Sequence, residues 1–133
     1  MVLLDIIREK GFVIMTVFVK DTANSILSGL SKMKAAMIED YENWGENSKI
    51  HDKMSKEYAE KLTVTYGKKY IKLVNGFGGG VSAFIVGTDD DKKFKKGDIL
   101  KPAGWAAPAR NAARGNILDG EYPINWTGAC YLK

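Results

Sequence analysis

Apolar residues recur along the first half of the chain at steps of three and four. Between Asp21 and Trp44 they fall at Ile26, Leu27, Leu30, Met33, Met37, Tyr41 and Trp44, on one helical face. Asp21 and Thr22 can cap the start of this helix and Gly45 can end it. A second helix is predicted from about Lys49 to Leu62, with Ile50, Met54, Tyr58 and Leu62 spaced by four. Both stripes are narrow seams with charged flanks. Each is built to pack on one partner, which can be the other helix, a sheet or another subunit.

After Leu62 the period changes. Thr63–Tyr66, Lys69–Val74 and Val81–Val86 are rich in β-branched and aromatic residues, partly in alternation, and read as strands. Gly67 and the Gly76–Gly80 region separate them as turns. Asp89–Lys96 is a charged connection, and Gly97–Lys101 reads as a short strand entered through a turn. Asn116–Leu118, Ile124–Trp126 and Ala129–Leu132 supply the last short strands. This order predicts an α+β fold, with two N-terminal helices followed by a curved antiparallel sheet or a small β-barrel-like core. One domain spans residues 1–133, helical over about 15–62 and β-rich over about 63–133.

Charge sharpens this division. Of 20 Lys and Arg against 16 Asp and Glu, the excess lies beyond residue 66, so the β-rich half is where an anionic partner belongs. The single cysteine, Cys130, sits in an apolar segment as a small hydrophobe, and no intrachain disulfide is available. No apolar run approaches the ~20 residues of a membrane-spanning helix. The first ten residues mix charges into their apolar stretch and do not read as a signal peptide. Met15 is either an internal start or a core methionine.

The most informative stretch is Pro108-Ala109-Arg110-Asn111-Ala112-Ala113-Arg114-Gly115-Asn116. Two arginines four residues apart, among small residues, offer planar forks of donors suited to phosphate. The alternative is a pair of surface arginines closing a loop on backbone carbonyls. Trp105, in a loop of small residues between Pro102 and Pro108, is either a plug over the sheet or a platform for a flat ring. Phe84 and Phe94 are further stacking candidates, with core packing the alternative for Phe84. Asn75–Gly80 matches neither glycine-rich phosphate motif and reads as a hairpin connection. Asp89-Asp90-Asp91, followed by Lys92, Lys93, Lys95 and Lys96, reads as a self-neutralising solvated hairpin without calcium-loop spacing. His51 is the sole histidine, so no zinc set or catalytic triad is signalled. These residues describe a binder before an enzyme, with no cofactor and no catalytic residue.

In its chain order and its paired Arg110 and Arg114, the sequence resembles phage proteins that counter bacterial Thoeris defence, specifically the first-described signal-sequestering type. The resemblance implies a sponge that encloses a TIR-derived cyclic ADP-ribose isomer without degrading it. It further implies a homo-oligomer with sites where subunits meet, sometimes separate sites for cyclic oligonucleotides, and action in the cytoplasm of the infected host. On residue type, Arg110 and Arg114 suit the pyrophosphate, Phe84, Phe94 or Trp105 the adenine, and Asn111 or Asn116 the ribose hydroxyls. The competing readings are a small nucleic-acid-binding barrel using Lys92–Lys101 and a phage assembly protein.

Overall fold

The computed structural model describes residues 2–9, 12–44, 49–75 and 80–129. Strands β1 (Val2–Glu9) and β2 (Phe12–Val19) precede helices α1 (Ile26–Trp44) and α2 (Lys49–Lys61). Then come β3 (Leu62–Tyr66), β4 (Tyr70–Asn75), β5 (Gly80–Val86), β6 (Ile99–Leu100), β7 (Tyr122–Asn125) and β8 (Gly128–Ala129). The fold is α+β, as the change of period predicts. Among the described residues the strands form two antiparallel four-stranded sheets, β1-β2-β7-β8 and β3-β4-β5-β6, and no closed barrel.

The leading hairpin departs from the expected order of helices first. Residues 15–19, expected in the helical half, belong to β2, whose run of Phe, Val, Ile, Met and Thr suits a pleated strand. The reason is a partner far along the chain. Val17, Phe18 and Val19 pair with Ile124, Pro123 and Tyr122 of β7, so the N-terminal hairpin is completed by the C-terminal one. Helix α1 starts later than Asp21, because Ser25 is its cap: the Ser25 Oγ accepts from the Ser28 N–H at 3.1 Å. Gly45 and Gly76–Gly79 lie outside the described residues. Asn116–Leu118 is a turn after a single bridge from Asn116 to Asp98, because Asn116 Oδ1 accepts from the N–H groups of Leu118 and Asp119 at 2.8 and 3.1 Å.

The second sheet is covered on both faces, and register assigns each side chain to a layer. Val64, Leu73 and Ala83 are cross-strand neighbours on the face toward the helices. Thr65, Lys72, Phe84 and Leu100 are neighbours on the opposite face. The helix-side layer joins Leu30, Met33, Met37, Tyr41, Tyr58 and Ile117 in the main core. The outer layer, Phe84, Val86, Phe94 and Leu100 with Tyr70, Val81 and Ala113, is a second small core beneath the long 87–121 segment. Met33 and Met37 are fully buried within the protomer. These two positions of the seam are therefore used internally, whereas Leu27, read on the same face, is exposed.

An aromatic knot ties the helices to the first sheet. Tyr41 and Tyr58 stack at 4.5 Å with rings 4° apart, and both meet Trp126 edge-on at 5.3 and 6.3 Å. Such pairs contribute about 0.5–1.5 kcal/mol each beyond the area they bury. The Tyr58 hydroxyl donates to the Trp126 carbonyl at 2.6 Å, and the Trp126 N–H donates to Asp40 Oδ2 at 2.8 Å. Both groups of this turn residue are thereby satisfied from the helices. The sheets themselves meet at Gly128, whose φ is +118° and where an added Cβ would lie 2.1 Å from the Ser82 carbonyl oxygen.

Two predictions follow from this packing. Gly128→Ala combines left-handed backbone strain with a backbone clash and should cost at least about 2 kcal/mol, read as a lower urea midpoint. Asp40 is fully buried, and its Oδ1 meets no donor among the described residues. Desolvation therefore raises its pKa from the ordinary 3.8. A raised carboxyl binds its proton more tightly in the folded chain, so its contribution to stability falls as pH climbs from the unfolded value through the folded one. Asp40→Asn keeps an acceptor for Trp126 and should remove this loss. The stability of the variant relative to the parent should then rise across that interval in urea titrations at stepped pH.

Candidate functional site

The charged connection after β5 is organised around one carboxylate. Asp91 Oδ1 accepts from the backbone N–H groups of Lys93 and Phe94 at 2.8 and 3.0 Å, which closes the turn. The same carboxylate receives the Arg110 fork, Nη1 on Oδ2 at 2.9 Å and Nη2 on Oδ1 at 3.0 Å. Lys69 Nζ adds a third cationic contact at 3.1 Å. The Asp91 carboxylate itself has no exposed surface, yet its cover is the half-exposed side chains of Lys69 and Arg110 at the protein surface. Arg110 first, then the two N–H groups, hold its pKa far below the carboxylate range, and Asp91 in turn raises that of Arg110.

Arg110 has further partners in the protein. Its Nη1 donates to the Tyr70 hydroxyl, its guanidinium lies over the Phe94 ring at 5.0 Å, and its carbonyl accepts from Lys93 Nζ at 2.5 Å. Arg114 folds back on its own loop, with Nη1 donating to Asn111 Oδ1 at 3.0 Å and to the Ala112 carbonyl at 2.7 Å. The two arginines share no partner in these bonds. Arg114 makes the backbone-carbonyl contact of the loop-closing alternative, whereas the Arg110 guanidinium is held by a carboxylate and a hydroxyl. Gly115, between Arg114 and Asn116, has φ +144° and lies so close to Tyr122 that a Cβ would stand 2.3 Å from the tyrosine Cβ. Asn116 is buried, with Nδ2 donating to the Lys96 carbonyl at 2.9 Å and to Asp98 at 3.0 Å. Both ends of its amide are thus used in shaping the turn rather than presented to a ligand.

The aromatic candidates separate in the same way. Phe84 and Phe94 are buried in the small outer core, where Phe84 meets Tyr70 edge-on at 6.0 Å. Trp105 is 58% exposed and is not a plug. Its loop is held shut beneath it by a Pro102–Pro108 bridge and by the N–H groups of Ala103 and Gly104 donating to the Ala107 carbonyl at 3.0 and 3.2 Å. The indole stands at the tip of a braced hairpin, with Lys72 Nζ 4.4 Å from its ring centroid.

A groove of about 260 Å³ is lined by Thr65, Gly67, Lys68, Lys69, Tyr70, Lys72, Phe84 and, from the Trp105 hairpin, Ala106. Its lysines come from the β3–β4 turn and from the outer face of β4, and its floor is aromatic. With Arg110 balanced by Asp91, the rim as a whole is positive. A site of this kind can attract a compact anion and stack one flat ring; among the described residues no group of three His, Cys, Asp or Glu is placed to hold a metal. Sequence reading took Lys69, Tyr70 and Lys72 only as a strand and passed over Lys68 beside the Gly67 turn. The legible signal was Tyr70 and Lys72, two apart on one strand face. Of the lysines expected to touch nucleic acid, Lys93, Lys95 and Lys101 have partners within the chain: the Arg110 carbonyl, Asp119 and the Ala129 carbonyl.

The Asp91 clamp predicts a pH dependence. Its folded pKa is depressed, so the stabilisation is present above the unfolded value near 3.8 and is lost as pH falls through and below it. Asp91→Ala should lower the urea midpoint at pH 7. The gap between parent and variant should narrow steadily in the acid limb.

No curated protein and no solved structure matches the chain. No described helix is long and apolar enough to cross a membrane. The sequence profile of a family of unknown function, DUF7717, matches residues 14–131, nearly the whole chain, and the protein belongs to that family.

Proposed function

We propose that this chain is a non-catalytic binding protein that takes a small nucleotide dianion at the groove between β4 and the Trp105 hairpin and gives it back unchanged. The observation that carries the reading is the convergence of Lys68 and Lys72, with Lys69 shared with Asp91, on an aromatic floor beside an exposed, braced tryptophan. Lysines supply charge-assisted hydrogen bonds to phosphate oxygens, and the indole supplies a face for a base. The bracing of the hairpin lowers the ordering cost that a ligand must overcome.

A cyclic ADP-ribose isomer has the matching chemistry, a pyrophosphate next to adenine, and is the ligand implied by the resemblance to Thoeris anti-defence proteins. Binding without turnover would then sequester the signal in the infected cell and leave the effector inactive. The weight of the site moves from the arginines to the lysines: Arg110 is already charge-balanced by Asp91 and acts as a wall beside Tyr70. Intramolecular use of Lys93, Lys95 and Lys101 makes the nucleic-acid reading the weaker one.

Calorimetry with the cyclic ADP-ribose isomer tests this. Lys72→Ala and Trp105→Ala should each weaken binding by about tenfold, the equivalent of ~1.4 kcal/mol. Salt dependence should be shallow, in contrast to the steep loss seen when several phosphate counterions are released. Mass spectrometry after heating should recover the intact ring. Undiminished affinity in the folded double variant would refute the site, and a hydrolysed ring would refute sequestration.

A further inference from the structure

Lys72 differs from the other cations near the groove in what holds it. Lys69 is tied to Asp91 at 3.1 Å, and Lys93 and Lys95 are bound to the Arg110 carbonyl and to Asp119. Lys72 has no ion pair among the described residues, and its contacts there are rings. Its Nζ stands 4.4 Å from the Trp105 centroid and 5.7 Å from that of Phe84. Register puts it in this place. On the outer face of the second sheet Lys72 lies between Thr65 of β3 and Phe84 of β5, and all three line the groove. Lys72 is the lining residue that reaches out to the indole.

This contact sets up a competition. An ammonium 4.4 Å from the ring centroid occupies the face on which a base would stack. The indole face turned toward the groove is therefore covered in the free chain, and a base takes that face only when the ammonium has left it. A neutral ring must overcome the attraction between cation and indole and gives the displaced ammonium no new partner. An anion beside the base does give it one, through a charge-assisted hydrogen bond. The four-carbon lysine stem is flexible, so this exchange needs only side-chain rotation and no movement of the sheet or of the braced hairpin.

Resting on the nucleotide reading of this groove, we infer that Lys72 is a latch that selects aromatic ligands carrying their own negative charge. In the free chain it covers the indole; a phosphate draws it away, and the base takes its place. Lys69 and Arg110 do not act in this way, because Asp91 holds both. Ring and anion are thus recognised jointly. Neutral nucleosides and other uncharged rings meet a covered face, and the apparent affinity for them falls with the fraction of molecules in which that face is free. The selectivity comes from exclusion of the wrong ligand as well as from attraction of the right one.

Two ligands titrated against the full chain test this: the cyclic ADP-ribose isomer, which carries the pyrophosphate, and adenosine, which carries the ring without it. Lys72→Ala uncovers the indole and removes the charge. It should weaken binding of the isomer by about tenfold. The same substitution should tighten binding of adenosine by roughly twofold to fivefold, the size of an exposed cation–π contact. Lys72→Arg keeps a cation that stacks on indole and should reject adenosine as the parent does. A lysine that only touches phosphate would leave adenosine unchanged in both variants. Without ligand, quenching of the Trp105 fluorescence by iodide should fall in Lys72→Ala and persist in Lys72→Arg, with Trp105→Phe marking that residue's share of the signal. Adenosine bound no more tightly by Lys72→Ala than by the parent would overturn the latch, and a weakened isomer in the same variant would leave the groove reading standing. A parent chain that binds neither ligand would overturn both.

Discussion

The Asp91 carboxylate is the fastening on which the outer half of this molecule depends. It closes its own turn through two backbone N–H groups and simultaneously holds Arg110 from the long C-terminal segment and Lys69 from the edge of β4. Three stretches of chain, near 69, 91 and 110, are thereby drawn to one point over the outer face of the second sheet. Phe94 is brought down onto Phe84 and Leu100 by the same turn, so the ionic clamp and the small apolar core stabilise one another. A charge-assisted, bidentate bond is worth more than an ordinary exposed pair because its geometry is fixed from both sides.

The clamp also shapes the groove. Arg110, held by Asp91, donates to the Tyr70 hydroxyl and so helps to fix the aromatic floor. Across that floor Lys72 stands over Trp105, which its hairpin presents to solvent. Positive charge remains around the opening because one carboxylate answers two of the cations near it. The positive charge of the β-rich half is thus gathered at a neighbouring opening, with Arg110 held beside it by Asp91. A nucleotide reading rests on this charge and on the exposed indole.

On the other face the constraint is burial rather than charge. α1 must cover the main core with Leu30, Met33, Met37 and Tyr41 while the aromatic knot fixes its far end to the Trp126 turn. Covering that core leaves the neighbouring stripe of the same helix, from Leu27 to Ile38, facing the groove beside β3. A helix that is apolar on more than its core-facing stripe has surface left for a second contact. The edge strand β3 lies next to it.

Local patterns in the sequence determined the two helices, the strands from Leu62 to Val86 and the α+β class. They are set by side-chain period, and period is a property of neighbours along the chain. The residue types also made the β-rich half basic and placed a tryptophan between two prolines. What tertiary structure alone decided was which partner each residue meets. β2 pairs with β7 across more than a hundred residues, so no local signal distinguished the leading hairpin from the start of a helical half. Arg110 and Arg114 have the composition of a phosphate site, yet Asp91, Tyr70, Asn111 and a nearby carbonyl reach their donors first. Phe84 and Lys72 stand side by side on one sheet face through register, a relation written in the pairing of strands and not in either segment alone. Spacing along the chain fixes which face a side chain is on, whereas folding brings up the groups that compete for it.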